Sequence, residues 1–114
     1  MRRGEVWWGA LRPRSGSEQT GDRPVIIVSH DGFNRTEAWR SVIVVPLSLS
    51  EAQARRGPTA VTVGGPNTGL ARESTALCHQ VTTIDRSKLI RKLGSLDADQ
   101  LTRVDEGLTA ALAL

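Results

Sequence analysis

Short apolar stretches alternate with turn-forming residues along most of the chain. The stretches are rich in Val, Ile, Trp and Thr, and several place apolar side chains at every second position, which is typical of β-strands. The pattern predicts five strands, at residues 4–11, 23–29, 41–48, 59–64 and 74–84, and a short sixth at 90–96 after a helical turn near 86–89. The intervening segments DGFNR, EAQARRGP and GGPNTG predict turns.

The end of the chain follows a helical pattern instead. Asp97 is a good N-cap, and Gln100 stands three residues later, as in a capping box. Leu96 and Leu101 occupy the two positions of a hydrophobic staple. Apolar residues then recur at the spacing of one helix face, at Leu101, Val104, Leu108, Ala111 and Leu112. The pattern therefore predicts one amphipathic C-terminal helix.

This helix is expected over residues 98–113, with Gly107 as a mild local weakness. Five or six short strands followed by one packing helix predict a mainly β (α+β) fold, either a small β-barrel or a compact sheet capped by helices. A chain of 114 residues fits one domain, residues 1–114. A core this small often gains from dimerisation, because a second buried face adds apolar area.

The charge of the chain leans towards anionic partners. The formal net charge is +3 and the pI is near 10. Of the 15 basic residues, 13 are Arg, and only Lys88 and Lys92 are Lys. The planar guanidinium fits phosphate and stacks on bases, although the codon usage of a GC-rich genome explains the same bias equally well.

Several classes of protein lack support in the sequence. The lone Cys78 excludes an intrachain disulfide, and no apolar run approaches the roughly 20 residues that span a bilayer. His30 and His79 stand far apart, without a zinc-type pairing, and GGPNTG lacks the Gly-Lys-Ser/Thr end of a phosphate loop. We expect a cytoplasmic protein with no metal, no cofactor and no membrane contact.

Polar side chains alone can cut RNA, because its 2′-hydroxyl supplies the nucleophile. Such a reaction needs a base, a cation for the developing phosphorane charge, and an acid for the leaving oxygen. The stretch GSEQTGDRPVIIVS offers Glu18 as a base and Arg23 as a cation at the start of a strand. Pro24 biases the residue before it towards an extended conformation, which helps to hold Arg23 in place.

Four motifs, in this order and at these spacings, resemble the MazF/PemK toxins of bacterial toxin–antitoxin pairs: RRGEVWWGALRP, GSEQTGDRPVIIVS, VIVVPLS and CHQVTTID. The resemblance covers nearly the whole chain. It implies an SH3-like small β-barrel (CcdB/MazF-like) with flanking helices, and a homodimer. It also implies sequence-specific, metal-independent cleavage of single-stranded RNA to 2′,3′-cyclic phosphate and 5′-hydroxyl ends, which inhibits translation. The partner it implies is a cognate antitoxin whose acidic tail covers the RNA-binding surface.

The resemblance also assigns roles to individual residues. Arg23 matches the catalytic arginine of the family, and Ser48 falls where many members have a catalytic Thr or Ser. Glu18 and Gln19 match loop residues implicated in activity and RNA contact. Gln80 matches the Gln of the Asp-Gln-x-x-Thr-Ile motif, and we expect it to contact RNA.

The chain departs from the family at two positions. Ser17 replaces a loop His that one branch uses in catalysis, and it is retained as an RNA-contact candidate. His79 replaces the Asp before the Gln, a proposed base, so the identity of the base is open. An imidazole with an ordinary pKa of about 6.5 can serve as base or acid. The Arg55–Arg56 pair is either a solvated loop or an RNA backbone contact.

Two alternative functions stay open from the sequence. One is a non-enzymatic gyrase inhibitor of the CcdB type, although such toxins end in a Trp-containing segment and this chain ends in ALAL. The other is a catalytically silent RNA-binding or antitoxin-binding module.

Trp7, Trp8 and Trp39 are expected in the core or a dimer contact rather than against bases. The sequence does not distinguish messenger, ribosomal and transfer RNA as the target.

Overall fold

The computed structural model describes residues 1–55 and 57–114. Within these residues the strands are β1 (Glu5–Leu11), β2 (Gly21–Ile27), β3 (Ser41–Ser48), β4 (Ala60–Val63), β5 (Ser74–Leu77), β6 (Thr82–Asp85) and β7 (Leu89–Ser95). The helices are α1 (Asp31–Asn34), α2 (Glu51–Ala54) and α3 (Ala98–Leu112). Short 3₁₀ turns occur at Gly57–Thr59, Pro66–Thr68, Cys78–Gln80 and Arg86–Lys88. The mainly β architecture with a C-terminal helix agrees with the prediction.

The strands form one antiparallel sheet in the order β4-β5-β3-β2-β1-β7, with β6 also paired to β3. One edge of β3 therefore serves two partners. Residues 41–44 pair with β6, whereas Leu47 and Ser48 pair with β5. Pro46, which has no N–H to donate, lies where the partner changes.

The single strand predicted over residues 74–84 is wrong, because this segment is interrupted. Leu47 pairs with Ala76, and Val44 pairs with Thr82. The two partners on β3 are three positions apart, whereas their partners on the other segment are six positions apart. The segment from β5 to β6 therefore contains three extra residues. They form the 3₁₀ turn Cys78–Gln80 between β5 and β6. Cys78 is buried, as expected, but it lies in this turn rather than in mid-strand.

Apolar side chains cover both faces of the central strands. One cluster includes Ile26, Val45 and Val104 and lies beneath α3. The other includes Val25 and Val44 and lies on the opposite face, packed against Met1, Trp7 and Leu89. Successive side chains of a strand point to opposite faces, so the nearly continuous apolar runs of β2 and β3 supply both clusters at once.

The predicted helix start is confirmed in detail. The Asp97 carboxylate accepts from the Gln100 backbone N–H at 2.8 Å, and the Gln100 side chain accepts from the Asp97 N–H at 3.3 Å, which completes a capping box. Leu96 and Leu101 both pack in the cluster beneath α3. Gly107 is more than a weak point, because a Cβ there would lie 2.6 Å from Cys78 Sγ.

Two one-turn helices lie in segments that the sequence predicts as turns. In α1, His30 Nδ1 accepts from the Gly32 N–H at 2.8 Å, and in α2 the Ser50 hydroxyl accepts from the Gln53 N–H at 3.4 Å. Local side-chain caps of this kind stabilise single turns that show no periodic pattern. Among the described residues, no helix has both the length and the apolar character needed to cross a membrane.

Candidate functional site

Arg23 lies near the start of β2, and hydrogen bonds fix its guanidinium. Nε and Nη2 donate to the Thr20 carbonyl at 3.1 and 2.9 Å, and Nη1 donates to Gln19 Oε1 at 2.6 Å. Nη1 also donates to the carbonyl of Leu47, across the sheet, at 3.1 Å. The side chain is therefore tied both to the loop before β2 and to the end of β3.

These four bonds account for all but one of the five N–H groups of an arginine side chain. In the described part of the chain the remaining N–H, on Nη2, has no hydrogen-bond partner. Partial burial lowers the pKa of Arg23 from its ordinary value, but an arginine stays protonated in proteins. The result is a rigid cation with one donor left for a ligand.

Arg23 lines a cavity of about 680 Å³ on the protein surface. Its walls come from β1, β2, β7 and the segments after β3 and before β5, and they include Trp8, Pro24, Leu49, Gln53, Leu70 and Leu93. A second cavity of about 420 Å³ shares five of its lining residues, Ser48, Leu49, Ser50, Arg72 and Ser74. We call the two joined cavities the groove.

Ser48 lies at the junction of the two cavities. It is the last residue of β3, as predicted, and is buried, with its hydroxyl oxygen accepting from the Ser50 N–H at 3.1 Å. The preceding residue, Leu47, carries the carbonyl that holds Arg23. The strand thus brings Ser48 and Arg23 to one place, although they are 25 positions apart in the sequence.

The β1–β2 loop (residues 12–20) brings only some of its predicted residues to the groove. Gln19 lines it and contacts Arg23. Glu18 lies away from it, because its carboxylate accepts from the Ser15 backbone N–H and hydroxyl, at 3.3 and 3.0 Å, and lies 3.2 Å from Arg14 Nε. Ser17 is exposed, and its carbonyl accepts from Gln80 Nε2 at 3.1 Å.

His79 and Gln80 occupy the 3₁₀ turn between β5 and β6. His79 is exposed rather than half-buried on a strand, and it does not line the groove. Gln80 does not line the groove either, and both polar atoms of its amide contact the β1–β2 loop. The described geometry therefore brings together Arg23, Ser48 and Gln19, but not Glu18 or His79.

Two arginines of the groove were missed by the sequence analysis. Arg72 and Arg91 line it, and neither forms an ion pair within the described ranges. Arg91 stands opposite Trp8 in the β1–β7 register, and only this pairing places it there. Asp22, the carboxylate on the wall of the larger cavity, is bound to Arg12 at 2.7 Å.

The arginine pair predicted for RNA contact lies elsewhere. Arg55 caps the C-terminus of α2, is exposed, and lines neither cavity. Arg56 lies outside the described residues. Across residues 1–55 and 57–114, no group of three or more His, Cys, Asp or Glu side chains could hold a metal ion.

The fold is a small antiparallel sheet backed by one helix, and its groove carries three arginines, Arg23, Arg72 and Arg91, together with three carboxylates, Asp22, Glu51 and Glu73. Residues 2–112 match the family described as PemK-like, MazF-like toxin of type II toxin–antitoxin system. The chain belongs to this family, as its motifs predict.

Two curated relatives match the full length of the chain. Endoribonuclease EndoA of Bacillus subtilis is 35% identical over 114 residues, which cover 100% of this chain and 96% of that protein. Endoribonuclease MazF9 of Mycobacterium tuberculosis is 37% identical over 117 aligned positions, which cover 100% of this chain and 98% of that protein.

Solved structures agree with the fold. MazF from Deinococcus radiodurans superposes with a TM-score of 0.80 at 24% identity, covering 98% of this chain and 96% of that one. An endoribonuclease in complex with its cognate antitoxin, from a mycobacterial species, gives a TM-score of 0.78 at 26% identity, covering 98% and 94%. The predicted MazF-like fold class is confirmed.

Proposed function

We propose that this chain is the toxin of a type II toxin–antitoxin pair and cleaves single-stranded RNA at short specific sequences without a metal ion, thereby inhibiting translation. The family supports the toxin class, and two relatives that match the full length of the chain are named endoribonucleases. The finer chemistry rests on the groove. Arg23, held by four hydrogen bonds with one donor left, is the observation that carries the proposal.

In the proposed reaction the 2′-oxygen of one nucleotide attacks the adjacent phosphorus as its proton moves to a base. The bond from phosphorus to the 5′-oxygen breaks, and that oxygen takes a proton from an acid. The products are a 2′,3′-cyclic phosphate and a 5′-hydroxyl. Arg23 stabilises the extra negative charge of the phosphorane, because a fixed cation acts on the transition state without reorganisation.

Other groove residues would bind and orient the substrate. Arg72 and Arg91, which lack ion-pair partners among the described residues, suit the phosphates on either side of the scissile bond. The Ser48 hydroxyl, which already accepts from the Ser50 N–H, keeps its own hydrogen to donate to a phosphoryl oxygen. Trp8, which the sequence analysis expects in the core or a dimer contact, lines the groove instead, and there it and the apolar wall suit a base.

The proton-transfer groups stay a prediction. Glu18 is bound to Arg14 and Ser15, and His79 lies outside the groove, so either would have to move towards the substrate. The variants Glu18→Gln and His79→Ala distinguish them, because only loss of the group that transfers a proton should slow cleavage while RNA binding stays as in wild type.

The partners are proposed on the same basis. A cognate antitoxin with an acidic tail could pair with Arg72 and Arg91 of the groove, and the mycobacterial endoribonuclease was solved with its antitoxin. The homodimer is proposed from the family resemblance. A cytoplasmic location is part of the proposal.

The test is cleavage of a defined single-stranded RNA in EDTA by the antitoxin-free protein. We expect products with 5′-hydroxyl and cyclic phosphate ends, and a loss of at least about 10²-fold in rate for Arg23→Ala, as for other transition-state donors. Arg35→Ala, at the exposed end of α1 and outside the groove, is the matched control. A substrate with a 2′-deoxy nucleotide at the cleaved position should stay intact.

Two results would reject the proposal. One is wild-type protein that leaves every RNA intact, and the other is Arg23→Ala cleaving as fast as wild type. A supercoiling assay with gyrase run beside it would then show whether the chain is an inhibitor of that enzyme instead.

A further inference from the structure

The Gln80 side chain makes two hydrogen bonds to the backbone of the β1–β2 loop. Its Oε1 accepts from the Gln19 N–H at 3.3 Å, and its Nε2 donates to the Ser17 carbonyl at 3.1 Å. One neighbour requires an acceptor and the other a donor, so the two contacts together fix the orientation of the amide. These bonds commit both halves of the amide to the loop.

The turn that carries Gln80 is held by packing against the core. Gln80 is the last of the three extra residues between β5 and β6. The turn begins at Cys78, which is buried against α3, and is followed by Val81, which packs against the same cluster. The loop opposite is mostly exposed from Ser15 to Glu18. A firmly held turn therefore supports a loop that has little packing of its own.

The loop in turn holds Arg23. Its last two residues provide three of the four bonds to the guanidinium, from Gln19 Oε1 and the Thr20 carbonyl. Gln19 is thus bound at its backbone by Gln80 and binds Arg23 with its side chain. A continuous hydrogen-bonded path leads from the β5–β6 turn to the catalytic cation.

We infer that Gln80 is a positioning residue, which holds the β1–β2 loop so that Gln19 and Thr20 aim Arg23 at the scissile phosphate. This inference rests on the proposed RNA cleavage, and it replaces the direct RNA contact that the sequence predicts for Gln80. Because the effect passes through Arg23, it acts on the transition state more than on RNA binding. A misplacement of about 1 Å at a reacting group costs up to about 10²-fold in rate.

The kinetic test uses Gln80→Met, which keeps the length of the side chain and removes both hydrogen bonds. We expect kcat to fall by about 10- to 100-fold while KM changes by less than about 3-fold. Gln19→Met and the double variant complete a cycle. Because both residues act along one path, the double variant should lose at least about 5-fold less than the product of the two single losses.

A second measurement follows the loop without RNA. Amide hydrogen exchange over residues 15–20 should become at least about 10-fold faster in Gln80→Met, whereas exchange in α3 stays as in wild type. Gln100→Met is the matched control, since the Gln100 amide also bonds distant backbone, at the Gly64 carbonyl. It should speed exchange near α3 and leave residues 15–20 and kcat unchanged.

Three results would overturn the inference: exchange over residues 15–20 unchanged in Gln80→Met, a KM that rises while kcat holds, or a cycle that is multiplicative within about 2-fold. The second would mark a direct contact with RNA, and the third would show that Gln80 and Gln19 act independently. Wild-type protein that cleaves no RNA but shows the faster loop exchange in Gln80→Met would reject the proposed function alone, because the loop contact would then stand without the catalysis.

Discussion

The β1–β2 loop and helix α3 are held in place by different forces. α3 begins with a capping box and buries Val104 and Gly107 against the sheet. The loop is mostly exposed and is held by side-chain hydrogen bonds, chiefly from Gln80 and Arg23. Net contributions of such bonds are about 1 kcal/mol each, whereas burial of one large apolar side chain contributes about 1.5–3 kcal/mol.

The comparison shows which segments hold the sheet together and which position Arg23. A segment held by a few hydrogen bonds can open locally while the apolar core stays intact. The residues that aim Arg23 belong to such a segment, and the residues that hold the sheet together do not. Substitutions in α3 should therefore change stability with little effect on kcat, and substitutions around the loop should do the reverse.

The largest expected difference between the two regions is in their rates of opening. Trypsin should cleave after Arg14, in the loop, at least about 10³-fold faster than a thiol reagent modifies Cys78 beneath α3, when each rate is divided by that of an unfolded peptide. Burial, with a smaller effect of Asp105, raises the pKa of Cys78 to about 11, so its thiol also stays protonated at neutral pH. Mass spectrometry of timed samples measures both rates. Comparable rates would show that the loop opens only when the whole chain unfolds.

A smaller effect, on the free energy of unfolding, is expected from Gly107→Ala. Its sign tests whether α3 packs closely against the sheet. Helix propensity alone predicts stabilisation of about 1 kcal/mol. The new Cβ would lie 2.6 Å from Cys78 Sγ and 2.9 Å from Val61 Cγ2, and overpacking costs about 1–3 kcal/mol. We expect a net loss of up to about 2 kcal/mol in the free energy of unfolding, measured by urea denaturation, with kcat unchanged. Adding Cys78→Ala should restore part of the loss. A more stable Gly107→Ala protein would contradict the close packing of α3.

The smallest effect concerns a buried polar contact in the sheet. Burial alone would raise the pKa of Glu5, but hydrogen bonds from Trp7, the Arg2 backbone and Lys92 outweigh it, so the pKa is lowered. Its contribution to stability is therefore full above the ordinary Glu pKa of about 4.3 and is lost as the pH falls through the lowered value. Glu5→Gln should cost about 0.5–1 kcal/mol at pH 7 and almost nothing near pH 2. Thermal unfolding at both pH values checks this, and an equal cost at both would exclude a role for the charge.

The elements that local chemistry determines are those that the sequence predicted best. The residues of β3 and the capping box of α3 depend on neighbours in the chain, and both were predicted correctly. The interruption at Cys78–Gln80 was not, because it arises from how two segments share one edge of β3. No local pattern in STALCHQVTTI marks that sharing.

The candidate site also contains residues that the sequence predicts and residues that it does not. Arg23 and Ser48 were predicted from motifs that lie on regular strands, and the structure brings both to the groove. Arg72 and Arg91 were missed, since only strand pairing and the turn before β5 bring them to the groove. The placements of Glu18 and His79 depend on a loop and a turn that are joined by the tertiary hydrogen bonds of Gln80.

The turn between β5 and β6 separates the position of the β1–β2 loop from the register of the sheet. A longer or shorter turn at this point would raise or lower the β1–β2 loop, while β5 and β6 kept their register with β3. Gln19, which binds Arg23, is thus held by a segment that contributes no side chain to the walls of the groove. Variation in length there would change the position of Gln19 without altering the register of the sheet.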